Sequence, residues 1–227
     1  MSKASGDVST AIGYANEASG LYAVAMGDTC TSSGTGAISF GQLNSASGAS
    51  SFSCGYQTIA NSDYSFAGGF RTATHGITGA FAWGATVSGS SGSTQHMRLV
   101  LSANTSDATT DFARSSGLSM PAASNQLSLP SNSAYLVKAT CVARHSTSGD
   151  VKSWEITALV KRGSSASSTE IVGTPTVTDL FADAGAATWT LTVTADTTNG
   201  ALKFNVTGEA SKTIRWAVDV SSAQVVQ

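Results

Sequence analysis

Charge is scarce in this chain. Only 11% of its 227 residues are Asp, Glu, Lys or Arg, and the formal net charge is -2, so no basic patch points to nucleic acid as a partner. Cysteine occurs three times, as Cys30, Cys54 and Cys141. An odd number of thiols at unrelated spacings argues against a disulfide framework or a zinc site and predicts free, mostly packed cysteines. No apolar run approaches the length of a membrane span, and the N-terminus lacks the apolar core of a secretion signal, so membrane insertion is not expected. Met1-Ser2-Lys3 leads straight into repeats with nothing to cover the first of them. Terminal repeats normally need a cap, so the chain is expected to be the distal piece of a longer polypeptide.

Glycine, by contrast, is plentiful and strictly spaced. Gly13, Gly27, Gly41, Gly55 and Gly69 are each 14 residues apart. A second series, Gly6, Gly20, Gly34, Gly48, then Ser62, then Gly76, runs seven residues ahead of it. Ala18, Ser32, Ala46, Ala60 and Thr74 hold the same register, and a last copy with one inserted residue ends at Phe81-Ala82-Trp83-Gly84. Two interleaved series over five copies identify a repeat architecture. Seven residues hold one short strand and one tight turn, for which glycine supplies positive φ or close backbone approach. The repeat therefore predicts a narrow β-solenoid with coils about 4.8 Å apart.

The strand before each main glycine has two unlike sides. Ser9, Ala23, Ala37, Ser51 and Ser65, with Ala11, Ala25, Ser39, Ser53 and Ala67, are small. Thr10, Val24, Ile38, Phe52, Phe66 and Phe81, joined by Ile12, Met26 and Phe40, are mostly large. One narrow interior takes the small side, so the large column needs a surface outside its own coil, which self-association about a long axis supplies. The second strand, with Asn16, Glu17, Gln57, Thr58, Arg71 and Thr72, is expected to face solvent.

The runs Gly6-Asp-Val-Ser-Thr-Ala-Ile-Gly13 and Gly20-Leu-Tyr-Ala-Val-Ala-Met-Gly27 resemble the head repeats of YadA-type trimeric autotransporter adhesins, repeats also found in bacteriophage tail fibres. The resemblance spans roughly residues 5–84 and implies a trimeric, left-handed parallel β-roll that is adhesive and not enzymatic.

After a Gly/Ser-rich connector at residues 85–94, the text changes to period-2 alternation. Met97, Leu99 and Leu101 alternate, as do Tyr135 to Ala143, Trp154 to Val160, Trp189 to Val193, Leu202 to Val206 and Ile214 to Val220. Asp196-Thr-Thr-Asn-Gly200 reads as a hairpin loop. No helix signature interrupts them, so the expectation is all-β: a β-roll at 1–84 and an antiparallel β-sandwich or jelly roll at 95–227. The closing run from Trp189 to Val218 resembles β-rich C-terminal domains of phage tail-fibre proteins. An autotransporter adhesin is expected to continue into a stalk and an anchor barrel, and neither follows here.

Chemistry is sparse. His75, His96 and His145 show no ligand spacing, so no metal site and no cofactor are expected; a single histidine on a three-fold axis is the remaining metal reading. The carboxylates Glu155, Asp219, Glu170 and Glu209 are read as solvated surface and not as a glycosidase pair. Trp154, Trp189 and Trp216 share the inward phase of their strands and read as core. Tyr14, Tyr56 and Phe70, just after main glycines, are candidates for exposed contact. The Thr190-Thr192-Thr194 row and Ser/Thr-rich loops at 102–116 and 163–176 suit neutral recognition of glycans. No catalytic residue is assigned and the receptor-binding residues are left unknown. The sequence thus reads as the distal part of a phage tail fibre, a homotrimer that binds a host surface receptor of carbohydrate type and joins other tail or baseplate proteins through a missing N-terminal part. The alternatives are the head of a bacterial surface adhesin, a capsid or baseplate decoration fibre without a receptor, and a depolymerase with an intersubunit site.

Overall fold

A computed structural model describes residues 1–86, 89–117 and 120–227. The chain is all-β, with a β-solenoid of about six turns, and divides into two compact units, residues 1–97 with 223–227, and residues 98–222.

In the first unit, long strands alternate with short ones. The long strands are β2 (Thr10–Tyr14), β4 (Val24–Asp28), β6 (Ile38–Gln42), β8 (Phe52–Tyr56), β10 (Phe66–Phe70) and β11 (Phe81–Ala85); the short ones are β1 (Lys3–Ala4), β3 (Glu17–Ala18), β5 (Thr31–Ser32), β7 (Ser45–Ala46) and β9 (Ile59–Ala60). Each set forms a parallel ladder in register with the repeat, as in Gly27 beside Gly41 and Ala18 beside Ser32. At the last coil Phe66 pairs with Phe81, an offset of 15 that places the inserted residue between them. The small side of each long strand fills the interior: Ala23, Ala25, Ala37, Ser39, Ser53 and Ala67 are all fully buried.

The turns differ from the sequence expectation. The main glycines lie inside the long strands, and the corners fall on Ala15, Thr29, Leu43, Gln57 and Arg71 at one end and Val8, Tyr22, Gly36, Ser50 and Tyr64 at the other, all with φ between 50° and 64°. For residues with a β-carbon this left-handed conformation costs about 1–2 kcal/mol. It aims the corner amide at the preceding coil, so that Thr29 N donates to Tyr14 O at 2.8 Å and Ser50 N to Thr35 O at 2.8 Å. The ladder thus continues around the bend. The glycines themselves meet both expected needs: the main series has positive φ, 114° at Gly13 and 122° at Gly27, and a β-carbon on Gly13 would stand 2.1 Å from Gly27 O and one on Gly34 2.1 Å from Gly48 O. Ser62 breaks the series where the following coil is one residue longer, and its hydroxyl donates to Ile77 O at 2.6 Å.

A second correction concerns the short-strand side. Asn16, Thr58 and Thr72 are buried, not solvated, while Glu17 is exposed. Asn44 Nδ2 donates to Phe40 O in its own coil and to Gly55 O in the next, both at 2.8 Å, and its Oδ1 accepts the Thr58 amide at 2.9 Å. Asn16 repeats the arrangement, with Cys30 N as donor at 2.8 Å. A buried carboxamide satisfied at both ends costs little and fixes register. Beyond the last short strand, where Ala73 makes an isolated parallel bridge to Ile59, Gln95 Oε1 accepts Ala73 N at 2.9 Å and Gln95 Nε2 donates to Ala73 O at 2.7 Å. The side chain supplies the backbone pairing that a further strand would have given.

The second unit holds two sheets. The larger runs in the order β17 (Glu170–Ala182), β16 (Val151–Arg162), β15 (Ser133–His145), β20 (Ile214–Val226), β12 (Thr94–Thr105). The smaller is centred on β19 (Ala201–Thr207), paired antiparallel with β13 (Thr110–Phe112), β14 (Leu127–Ser128) and β18 (Thr190–Asp196). Strict alternation buries Leu99, Leu101, Tyr135, Val137, Ile156, Val160, Phe204, Val206, Val218 and Val220. Trp189, leading into β18, packs on Trp216 of β20 at 6.1 Å, and Trp216 stacks on Trp154 at 5.4 Å. All three indoles lie in the core, as their phase predicts. The hairpin at 196–200 closes with Gly200 N donating to Asp196 O at 2.8 Å, and Gly200 has φ 68°.

The segment 163–176, expected as loop, is half strand: its last seven residues open β17. An edge strand exposed on both faces shows no apolar alternation, which hid it. Its ladder skips from Thr176 to Val172 and leaves Gly173 and Pro175 in a bulge, where a residue without an amide hydrogen is tolerated. Likewise Ser102–Thr105 completes β12 and Thr110–Phe112 forms β13 within the stretch expected as a loop at 102–116.

Candidate functional site

The outer face of the long-strand ladder carries the large side chains. Ile12 is 53% exposed, Phe40 55%, Phe81 45% and Trp83 54%. Because parallel coils repeat in register, rings stack down the face: Phe52 on Phe66 with centroids 5.4 Å apart, Phe66 on Phe81 at 4.5 Å. In the neighbouring column Trp83 lies across Gly68, where a β-carbon would meet its ring at 2.7 Å. The result is a continuous apolar band of a kind that proteins rarely leave in water.

At the ends of the same long strands, just before the corner, Tyr14 is exposed, and Tyr56 stacks on Phe70 at 5.2 Å, with the Arg71 guanidinium 5.3 Å from the Phe70 ring. Tyr56 and Phe70 thus brace neighbouring coils while Tyr14 is open to contact. Residues 4–28 match the YadA head domain repeat in two copies. The match falls on the first coils of the solenoid. No curated protein matches the sequence. Among solved structures, the chain is similar to the tailspike protein gp49 of Acinetobacter baumannii bacteriophage Fri1, a capsular polysaccharide depolymerase, at 12% identity and TM-score 0.31, over 92% of this chain and 39% of that one. It is also similar to the tailspike protein of Acinetobacter phage vB_ApiP_P1, at 7% identity and TM-score 0.27, over 96% of this chain and 47% of that one. The chain spans less than half the length of either tailspike.

The remaining candidates disperse. Asp219 pairs with Arg98 at 2.5 Å, Glu170 with Lys161 at 2.8 Å and Glu209 with Lys212 at 2.9 Å, while Glu155 faces outward opposite Thr140 and Thr178. His75 packs beside Gly92 in the solenoid, and burial lowers its pKa to about 4. His145 shares a turn with Ser148 and Asp150, Nδ1 lying 2.7 Å from Ser148 Oγ, which in turn donates to Asp150. With the hydroxyl between acid and imidazole, this order is a turn lock and not a nucleophile activated by histidine. Among the described residues no cluster of three or more His, Cys, Asp or Glu could hold a metal. The cysteines are free; burial pushes the Cys141 thiol up to about 12, leaving it unreactive.

Sequence reasoning missed one feature. On the outward face of the larger sheet of the second unit, Ser102 and Asn104 of β12, Arg144 of β15, Arg215 of β20, and Arg114 and Ser116 line a cleft of about 570 Å³. The wall is set by a bridge between Ser102 and Arg114, with Ser102 N donating to Arg114 O at 2.8 Å and Arg114 N to Ser102 O at 2.9 Å. The three arginines are 30 and 71 residues apart in sequence and share no motif, so only the strand order reveals them together.

Proposed function

We propose that this chain is a self-associating piece of a phage tail fibre that attaches the particle to a host surface glycan as a homotrimer. The exposed band from Ile12 to Trp83 carries the reading. Each large side chain withdrawn from water is worth roughly 1.5–3 kcal/mol, and copies of the same band around a long axis cover one another. The resemblance to trimeric adhesin heads favours three copies. The second unit is read as an antiparallel sandwich that contacts the receptor, and three copies turn weak sugar contacts into avidity. The match at residues 4–28 also favours a second setting, the head of a bacterial surface adhesin; the attachment mechanism is common to both.

The test is mass in solution together with whole-cell binding. The protein is expected at three times 22.9 kDa, and Phe40→Asp, placing a charge in the band, is expected to lower both the mass and cell retention. A well-folded single chain at micromolar concentration overturns the proposal.

A further inference from the structure

The geometry points to the Arg114–Arg144–Arg215 cleft as a binding site for a carboxylate-bearing saccharide, an assignment that rests on the surface-attachment reading and names its ligand class. Five cations of the second unit are held by carboxylates: Arg98, Arg114, Lys152, Lys161 and Lys212. Among the described residues no carboxylate lies within ion-pair distance of Arg144 or Arg215, although both stand exposed at adjacent strands and line one cleft. In a chain of net charge -2, two uncompensated guanidinium groups side by side form a local anion site.

The third arginine is fixed in advance. Arg114 donates to both carboxylate oxygens of Asp111, at 2.8 and 3.1 Å, and its guanidinium lies 4.7 Å from the Phe112 ring centroid. That clamp neutralises Asp111 and holds one wall rigid, so the free charge of the cleft belongs to Arg144 and Arg215. Guanidinium is the side chain suited to planar, two-point recognition of carboxylate. Ser102, Asn104 and Ser116 supply neutral donors and acceptors between the arginines, which suits the hydroxyls of a sugar ring. The volume lies within the range of small-ligand sites. A phosphodiester polymer fits less well, because the acidic chain offers no extended basic track.

The experiment measures binding of the full chain to an oligogalacturonate, to its methyl ester and to a poly-glutamate peptide, by calorimetry at low salt. The uronate is expected to bind, the ester to bind at least roughly tenfold more weakly, and added salt to weaken the uronate. Arg144→Ala with Arg215→Ala is expected to abolish the preference for uronate over ester, while Arg98→Ala, on the same face but paired with Asp219, leaves it intact. Equal binding of uronate and ester, no binding of the uronate, or tighter binding of the peptide overturns the assignment. A double variant of reduced oligomer mass also overturns it, giving the arginines to chain–chain contact instead. Whole-cell retention separates the two readings: unaltered protein that fails to adhere sinks the attachment function, whereas adhesion undiminished in the double variant sinks only the cleft.

Discussion

Asn44 holds Thr58 twice, accepting its backbone amide at 2.9 Å and its hydroxyl at 2.8 Å on the same carboxamide oxygen. With the two bonds donated by Nδ2, to Phe40 O and Gly55 O, one buried side chain ties its own coil to the next by four hydrogen bonds. Asn44→Ala strands a buried amide and two carbonyls, each costing about 1–3 kcal/mol when unsatisfied. The variant is expected to lose several kcal/mol in denaturant unfolding, with hydrogen exchange accelerated first around residues 55–58.

Glycines of the two kinds part company under substitution. Gly34→Ala drives a β-carbon into Gly48 O at 2.1 Å, and no flexible side chain is there to yield. Gly36, at φ 64°, has only Ser50 Oγ near, at 3.7 Å. Asparagine tolerates that conformation, so Gly36→Asn is expected to melt within a few degrees of the unaltered protein, while Gly34→Ala fails to form an intact solenoid by circular dichroism.

Acid should loosen the solenoid through His75. Its folded pKa of about 4 lies below the ordinary 6.5 because burial disfavours the cation. Between those values the unfolded chain binds the extra proton, so stability is full above pH 6.5 and falls as pH drops toward 4, by roughly 3 kcal/mol in all. His75 has φ 52°, so His75→Asn keeps the backbone and is expected to flatten this acid limb in melts between pH 4 and 7.

Gln95→Leu removes the carboxamide that pairs with both backbone groups of Ala73. The apolar isostere fills the space but leaves an amide and a carbonyl unmet. Expected is a loss of about 2–4 kcal/mol, with fraying confined to the last coil when read by hydrogen exchange at residues 72–74.

Much of this fold was legible. Interleaved glycines gave the coil, and the contrast of Ala23 and Ser39 with Ile38 and Phe40 gave inside from outside. The corners were not legible, because Val8, Thr29 and Leu43 are residues that local propensity would never place at positive φ; only hydrogen bonding to the neighbouring coil compensates. Nor was the interior role of Asn16 and Asn44, though their 28-residue separation, two coils, was a usable signal. In the second unit, alternation located strands with one buried face and passed over β17, which buries neither. The arginine cleft was hidden because its residues meet only after β12, β15 and β20 come side by side.

The pairing of every coil with a near-copy of itself has an evolutionary corollary. Each layer offers upward the same row of amides and carbonyls that it received from below, so duplication or loss of a 14-residue unit leaves all remaining joints unchanged and alters the height of the stack by one step, about 4.8 Å. Where asparagine occupies alternate layers, units gained or lost in pairs preserve that order too. Such a molecule is a ruler whose markings can be added by unequal crossing-over, with length tuned by recombination and not by point mutation.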